Sequence, residues 1–369
     1  MTSVNIIIPE ANRVELVERP VPAPKAGEVL VRLVRSTVSS GTERANYVGE
    51  VNVNILTNDG VARWPRQGGY SSSGVVEAVG AGVKSLKPGD RVAMSWTVHS
   101  QYVVVPEENA CLLPDGVSFE AAALAHIATF PMAAIRKCAV EMGESAVVMG
   151  QGVLGQLAVM LLRCAGAAPV FAADPVAAKR ERALKLGADF ALDPSTDDFS
   201  ETLKSMTPNR DSAVFKGAQA RGVKVAIEVT GRGEALDSVL DAMAFMGRVA
   251  LLGCTRSSNF TIDYYHKVHG RGVTLIGAHT WARPEHEAQA LRSADGGPGG
   301  ALLRRLRVQD PRDVLAALGH ARQLRVVPPG DAVRIRLRRK VELRDVVARA
   351  PGAQACVAEA PILRESEGR

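Results

Sequence analysis

The stretch Ala146-Val147-Val148-Met149-Gly150-Gln151-Gly152-Val153-Leu154-Gly155 decides the fold. It opens on a wholly apolar run, as expected of a strand covered on both faces in a parallel sheet. Glycines then punctuate the turn, and a helical apolar pattern follows from Val153 to Ala167. Each glycine has its own physical reason. The first permits a tight turn, the second lets a bound phosphate approach the backbone, and the third lets the helix pack on the strand. The helix that opens there directs free N–H groups and its positive dipole end at an anion. The next strand, Val170-Phe171-Ala172-Ala173, is closed by Asp174.

Strand, glycine loop, helix, strand and acid in this order are the fingerprint of a dinucleotide-binding βαβ unit rather than of a bare turn. A carboxylate at Asp174 accepts hydrogen bonds from the ribose hydroxyls of NAD and repels a 2′-phosphate, so NAD is expected in preference to NADP. Asp174 also suits the cap of a helix starting near Pro175, and Lys179 and Arg180 stand close enough in sequence to meet a phosphate. The expected cofactor-binding residues are Gly150, Gly152, Val153, Leu154, Gly155, Asp174, Thr230 and Gly253.

Outward from this unit the alternation continues. A helix is expected over Val176 to Leu186 and a strand over Phe190 to Leu192, followed by a polar helix-prone stretch. Strand Val225 to Glu228, helix Glu234 to Met246, strand Arg248 to Leu252 and strand Val273 to Ile276 complete six strands in two halves, the doubly wound plan. Before about Ala121 the rhythm differs. Gly27 to Val34 and Gly74 to Gly80 read as short strands, and Lys87-Pro88-Gly89-Asp90-Arg91-Val92 as a turn feeding a third. Such a run argues for an antiparallel, barrel-like domain. The fold class is therefore α/β, with expected domains at residues 1–125, 126–281 and 282–369.

Bulk composition narrows the function classes. The net charge of +6 is confined to residues 282–369, where Lys and Arg outnumber Asp and Glu by 17 to 11; the rest is balanced. The body is therefore not a nucleic-acid binder by charge. No signal-peptide pattern opens the chain, and the richest apolar stretch, Val153 to Ala173, carries Gln156, Arg163 and Pro169, so no membrane span is expected. Cys111, Cys138, Cys164, Cys254 and Cys356 are scattered singly, which suits reduced thiols and a cytoplasmic location.

These residues resemble the medium-chain dehydrogenase/reductase superfamily, the alcohol dehydrogenase and quinone reductase group. The resemblance is carried by Gly27 to Val31, Ser40-Gly41-Thr42-Glu43, Gly74 to Gly80, Pro88 to Val92, the glycine loop and Ile227-Glu228-Val229-Thr230-Gly231, across about residues 5 to 287. Ser39 to Arg44 looks more loosely like the bacteriochlorophyllide dehydrogenase subgroup. The resemblance implies a GroES-like domain, a Rossmann domain, a cleft between them, a small-molecule substrate, and a homo-oligomer formed at the Rossmann sheet edge.

The resemblance also implies zinc, and here the chain departs from it. The Cys position appears as Ser40, the His of Gly-His-Glu as Tyr70, and the third site aligns near His126. One imidazole is too few for catalytic zinc, which takes three protein ligands of suitable type. The four-cysteine structural lobe is missing between Val92 and Tyr102, and His266 with His269 is read as a surface or packing pair. A zinc-free protein is expected.

Hydrogen-bond donors must then meet the charge on the reacting oxygen. Candidates are Tyr70, Thr42, Ser40 and His126. Thr42 matches the family's first relay hydroxyl, whereas the distal relay His appears as Ala45. Core packing is an alternative for Tyr70 and His126, and Glu43 is expected to pair with a basic neighbour. The expected function is NAD-dependent hydride transfer with a secondary alcohol or ketone. Reduction of an activated C=C bond, or dinucleotide binding without catalysis, are the alternatives.

The last 88 residues break the pattern: no aromatic residue follows Trp281, and basic residues are arginine except Lys340. The abrupt change reads as frameshifted translation of a GC-rich gene. A divergent genuine segment, with Val333 to Arg338 as an amphipathic strand, and a basic arm are the other readings.

Overall fold

The computed structural model describes residues 1–53, 60–196, 198–207, 221–254 and 260–279. The expectations for residues 282–369 lie outside the described residues.

The amino-terminal part is antiparallel. Strands β1 (Thr2–Ile7) and β2 (Glu15–Pro20) pair as a ribbon. Strands β3 (Glu28–Ser36), β4 (Ser71–Val79), β5 (Arg91–Ser95), β6 (Tyr102–Pro106) and β7 (Ala110–Leu112) form a five-stranded sheet in the order β6-β3-β4-β5-β7. Its buried side chains Val29, Val31, Val76, Val92, Met94 and Val105 make one core, as alternating β-branched residues do on a pleated sheet. A short helix, α1 (Ser40–Tyr47), leaves the end of β3.

Two helices, α2 (Phe119–Ala122) and α3 (Ala125–Lys137), connect this sheet to a second one. The expected boundary at 125/126 falls at the first residue of α3. The second sheet is parallel and contains β8 (Ala146–Met149), β9 (Val170–Ala173), β10 (Phe190–Leu192), β11 (Val223–Glu228), β12 (Met243–Leu251) and β13 (Thr274–Gly277). The order β10-β9-β8-β11-β12-β13 is the doubly wound Rossmann arrangement. Helices α4 (Val153–Cys164), α5 (Ala177–Lys185), α6 (Phe199–Ser205) and α7 (Gly233–Ala242) lie between its strands in sequence. Helix α4 buries Leu157, Ala158, Leu161 and Leu162, the one-sided spacing that its apolar pattern announces.

One boundary differs from the sequence reading. Residues 243–246 continue the apolar pattern of α7 but belong to β12, because Met243 pairs with Val223 and Met246 turns through a left-handed φ of 57° before Gly247.

The two sheets meet through side chains that matter below. Val153, Leu154 and Leu157 of α4 pack with Ala93, Cys111 and Leu113 and with Ala125, Ile127 and Ala128 of α3. Polar ties fix α2 and α3 on the antiparallel sheet. The hydroxyls of Thr37 and Ser71 each donate to the Ala123 carbonyl at 2.6 Å, and Ser73 donates to Phe119 at 2.7 Å. No helix among the described residues is long and apolar enough to cross a membrane.

Candidate active site

The glycine loop sits at the carboxyl end of β8, where the sheet order reverses between β8 and β11, the place at which open α/β sheets bind ligands. Its three glycines serve different purposes. Gly150 has φ +96°, and a Cβ there would lie 2.7 Å from Cγ2 of Thr230. A Cβ on Gly155 would lie 1.8 Å from the Gly150 carbonyl oxygen, so this glycine is what lets α4 close on its own loop. A Cβ on Gly152 would meet nothing within 4 Å, and its φ of −74° is an ordinary one. Among the described residues no atom demands glycine there. The space it leaves fits a pyrophosphate at the amino end of α4.

The acid is in place. Asp174 is buried, with Oδ2 accepting the Gln151 amide at 2.8 Å and Oδ1 accepting the Val176 amide at 2.9 Å. Asp174 thus ties the glycine loop to the chain entering α5, but it is not the cap the sequence offered as one reading, since the N-cap of that helix is Val176. Lys179 reaches Oδ2 at 3.5 Å, and Arg180 bonds the Asp174 carbonyl and Asp193.

Glu228, quoted in the sequence motif but given no role, shapes the opposite wall. It is buried at the end of β11, and burial raises its pKa. It accepts the amides of Thr230 (2.7 Å) and Gly231 (3.1 Å) and the Thr230 hydroxyl. That turn is the surface against which Gly150 packs. A Cβ on Gly253 would lie 2.2 Å from the Gly231 amide, so Gly253 serves close backbone approach.

The second half of the site lies on the antiparallel sheet. Register pairs Ser71 with Ser95, so the next residues outward, Tyr70 and Trp96, face each other across the strand ends; the Trp96 amide donates to the Tyr70 carbonyl at 2.8 Å. Ser71 also receives the Ile127 amide at 3.4 Å, which brings the start of α3 to the same place. His126 therefore meets the ring of Tyr70 edge-on, with centroids 5.9 Å apart, and that of Trp96 at 4.8 Å. Phe130, one turn on, completes the cluster at 5.5 Å from His126 and 5.9 Å from Tyr70, with His279 at 6.3 Å beyond it.

The polar end of this cluster is the Tyr70 hydroxyl, with the Ser39 and Thr42 hydroxyls, themselves 3.5 Å apart, as its polar neighbours. Burial pushes its pKa up to about 12, with the carboxylate of Glu43 adding to the rise. Ser40, one of the sequence candidates, is exposed at the first position of α1; the serine beside Tyr70 is Ser39. Glu43 accepts the Gly69 amide at 2.9 Å and lies 3.4 Å from His99, whose Nδ1 is 2.8 Å from the Ser36 hydroxyl. It has the basic neighbour the sequence leads one to expect.

His126 is 4% exposed, and neither ring nitrogen has a hydrogen-bond partner among the described residues. Burial pushes its pKa down to about 4, which leaves it a neutral imidazole. Trp96, Phe130, Ser39 and His279 are additions that sequence reasoning did not supply. The cluster His266 and His269 does not converge on a ligand: His266 bonds Asp263 at 2.8 Å, and His269 stacks on Tyr265.

Two family descriptions match the chain in tandem, the alcohol dehydrogenase GroES-like domain over residues 25–139 and the zinc-binding dehydrogenase over residues 153–295. The chain belongs to the medium-chain dehydrogenase/reductase superfamily. It is an oxidoreductase of that superfamily, and the second match extends somewhat beyond Glu287 and stops just before Gly296. A relative named L-threonine 3-dehydrogenase, from Pyrococcus furiosus, is 27% identical over 299 residues, covering 72% of this chain and 80% of its own. Two solved structures share the fold. An alcohol dehydrogenase from Escherichia coli, solved with NADH, has a TM-score of 0.63 at 22% identity, covering 76% of this chain and 85% of its own. A quinone oxidoreductase from Pseudomonas syringae has a TM-score of 0.64 at 22% identity, covering 88% of this chain and 90% of its own.

The superfamily supplies two groups to test against these residues. A dinucleotide fits, on the open space at Gly152, the helix end and Asp174. Zinc does not. A serine, a phenol and one imidazole stand where the resemblance puts its ligands, and among the described residues no three His, Cys, Asp or Glu side chains gather to hold a metal ion.

Proposed function

We propose that this medium-chain oxidoreductase transfers hydride between NAD(H) and a secondary alcohol or ketone without a catalytic metal, with Tyr70 handling the proton. The observation that carries the proposal is the half-buried Tyr70 phenol, packed on His126 and Phe130 beside the Ser39 and Thr42 hydroxyls, at the position where the resemblance puts a zinc ligand. Gly150, Gly152, Val153, Leu154, Gly155, Asp174, Thr230 and Gly253 form or support the cofactor cradle. Asp174 supports NAD over NADP because a 2′-phosphate would meet its buried carboxylate.

When bound, the nicotinamide supplies the hydride to the carbonyl carbon or takes it from the alcohol carbon. The Tyr70 O–H donates to the carbonyl oxygen, the task zinc would otherwise perform. As that oxygen gains negative charge, the phenol proton crosses to it. Even with its pKa raised by burial, the phenol remains a stronger acid than an alcohol, so the transfer runs toward the product alkoxide. Thr42 and Ser39 then return a proton to Tyr70 from solvent. The carbonyl has gained one hydride and one proton, and no further reactant is required. His126, buried and neutral, packs edge-on against Tyr70 and does not compete for the proton. Ser40, exposed on α1, holds no role in this scheme.

Reduction of a C=C bond conjugated to a carbonyl is the second reading. It is favoured by the fold shared with a quinone oxidoreductase and by the same phenol, which could hydrogen-bond the enolate oxygen. A matched ketone and enone decide between them. NADH oxidation with the ketone, and NAD reduction with its alcohol, are expected. Tyr70→Phe should lower kcat by about a hundredfold or more while NADH binding persists. Turnover of the enone alone would replace the first reading by the second. The four described cysteines are free, which supports a cytoplasmic site, and self-association along the β13 edge is part of the same reading.

A further inference from the structure

We infer that Glu43 and His99 are positioning residues that set how readily Tyr70 gives up its proton, with His99 as the protonation switch. The inference rests on the assignment of Tyr70 as the proton donor. His99 is buried between β5 and β6, and its amide donates to the Gly68 carbonyl at 3.0 Å. A Cβ on Gly69, which has φ +93°, would lie 2.7 Å from that amide, and a Cβ on Gly68 would strike the Glu43 carboxylate. The two glycines before Tyr70 therefore let an imidazole and a carboxylate press on the backbone that carries the phenol.

The surroundings of His99 leave room for one more proton. Nδ1 lies 2.8 Å from the Ser36 hydroxyl at the end of β3. Nε2 lies 3.4 Å from Glu43 Oε1 but makes no hydrogen bond among the described residues. A proton added to the ring thus has a carboxylate facing it, while Ser36 can accept from the other nitrogen. Other charges on the elements packed here are turned elsewhere. Arg35 of β3 pairs with Glu120, Arg44 of α1 with Glu50, and Arg66 lies over the Trp64 ring. Strand β1 meets His99 only through the Ile6 amide.

Glu43 acts on Tyr70 through space. It follows Thr42, whose hydroxyl neighbours the phenol, and it accepts the amide of Gly69, the residue before Tyr70. Its negative charge opposes the phenolate that Tyr70 becomes once its proton has crossed to the product oxygen. A proton on Nε2 of His99 offsets that charge in a largely buried setting, where charges are weakly screened. The phenol is then the stronger acid, and donation to a ketone quickens. With His99 neutral, the carboxylate holds the proton on Tyr70. No proton passes along Ser36, His99 and Glu43; the pair acts by charge alone.

The test follows kcat for NADH oxidation by the ketone turned over fastest, in the full-length protein, from about pH 5 to 9. The expected profile falls about threefold to tenfold, to a lower plateau, as pH rises through the His99 titration. Nuclear magnetic resonance of the histidine rings, with His99→Gln assigning the signal, locates that titration without turnover. Glu43→Gln keeps an acceptor for the Gly69 amide but removes the charge. Its profile should be flat and about threefold to tenfold faster than the unaltered protein at alkaline pH, with His99 titrating at lower pH. His99→Gln should be flat and slow at acid pH by the same factor. Affinity for NADH, measured by its fluorescence, reports that the variants are folded. A purely structural pair predicts equal losses at every pH in both variants. That result, or no step in the unaltered protein at the His99 titration, overturns the inference and leaves Tyr70 as the donor. An undiminished rate in Tyr70→Phe overturns the proton-donor reading and this inference with it.

Discussion

The backbone amide of Gln151 lies 2.8 Å from Oδ2 of Asp174, so one carboxylate joins the first turn of the glycine loop to the end of the neighbouring strand. The same carboxylate faces Lys179 at 3.5 Å, a cation that a 2′-phosphate could recruit. A ribose diol can share Asp174 with these partners, whereas a phosphate would have to displace or protonate it.

Cofactor choice follows from this contact. NADH is expected to bind about tenfold or more tightly than NADPH, as measured by quenching of protein fluorescence at fixed ionic strength. Asp174→Ser should narrow the ratio by removing the charge and releasing Lys179. NADPH binding more tightly than NADH to the unaltered protein would remove the role given to Asp174.

The glycine loop yields two opposite outcomes from one chemical change. Gly152→Ala places its Cβ in open space at an ordinary φ, so thermal stability should be retained while NADH affinity falls about tenfold or more. Gly155→Ala drives a Cβ to 1.8 Å from the Gly150 carbonyl and should cost about 3 kcal/mol of stability or prevent folding. Thermal melts and NADH titrations on the two variants check the pair. Equal NADH affinity in Gly152→Ala would show that the space is not a phosphate site.

Most of this half of the molecule is legible in the sequence because its constraints are local. Apolar strands, glycines with separate steric purposes and an acid at a strand end lie within the short span from Ala146 to Asp174. The other half is assembled across distance. Trp96 reaches Tyr70 only through the β4–β5 register, and Phe130 and His126 arrive with α3 through the Ser71 hydrogen bonds. No periodicity announces such meetings. Ser39 and Ser40 show how fine the margin is: Ser39, the extended N-cap of α1, is buried beside Tyr70, whereas Ser40, the first helical residue, is exposed.

His126 gives a stability prediction with a defined sign. Burial lowers its pKa from the ordinary 6.5 to about 4, so between those values the unfolded chain binds a proton that the folded chain refuses. Stability should therefore decline as pH falls from about 6.5 toward 4, and the His126 contribution to that slope should vanish in His126→Phe. Denaturant unfolding of both proteins across this range measures the difference. Identical slopes would place His126 in a solvated setting instead.

Metal-free hydride transfer is the central claim, and its most direct test joins elemental analysis to an activity assay. The purified protein is assayed for zinc, and NADH oxidation with the ketone turned over fastest is then followed before and after exhaustive chelation. The account predicts zinc far below one equivalent per chain and an unchanged rate after chelation. Near-stoichiometric zinc, with activity lost on its removal and restored on its return, would contradict it.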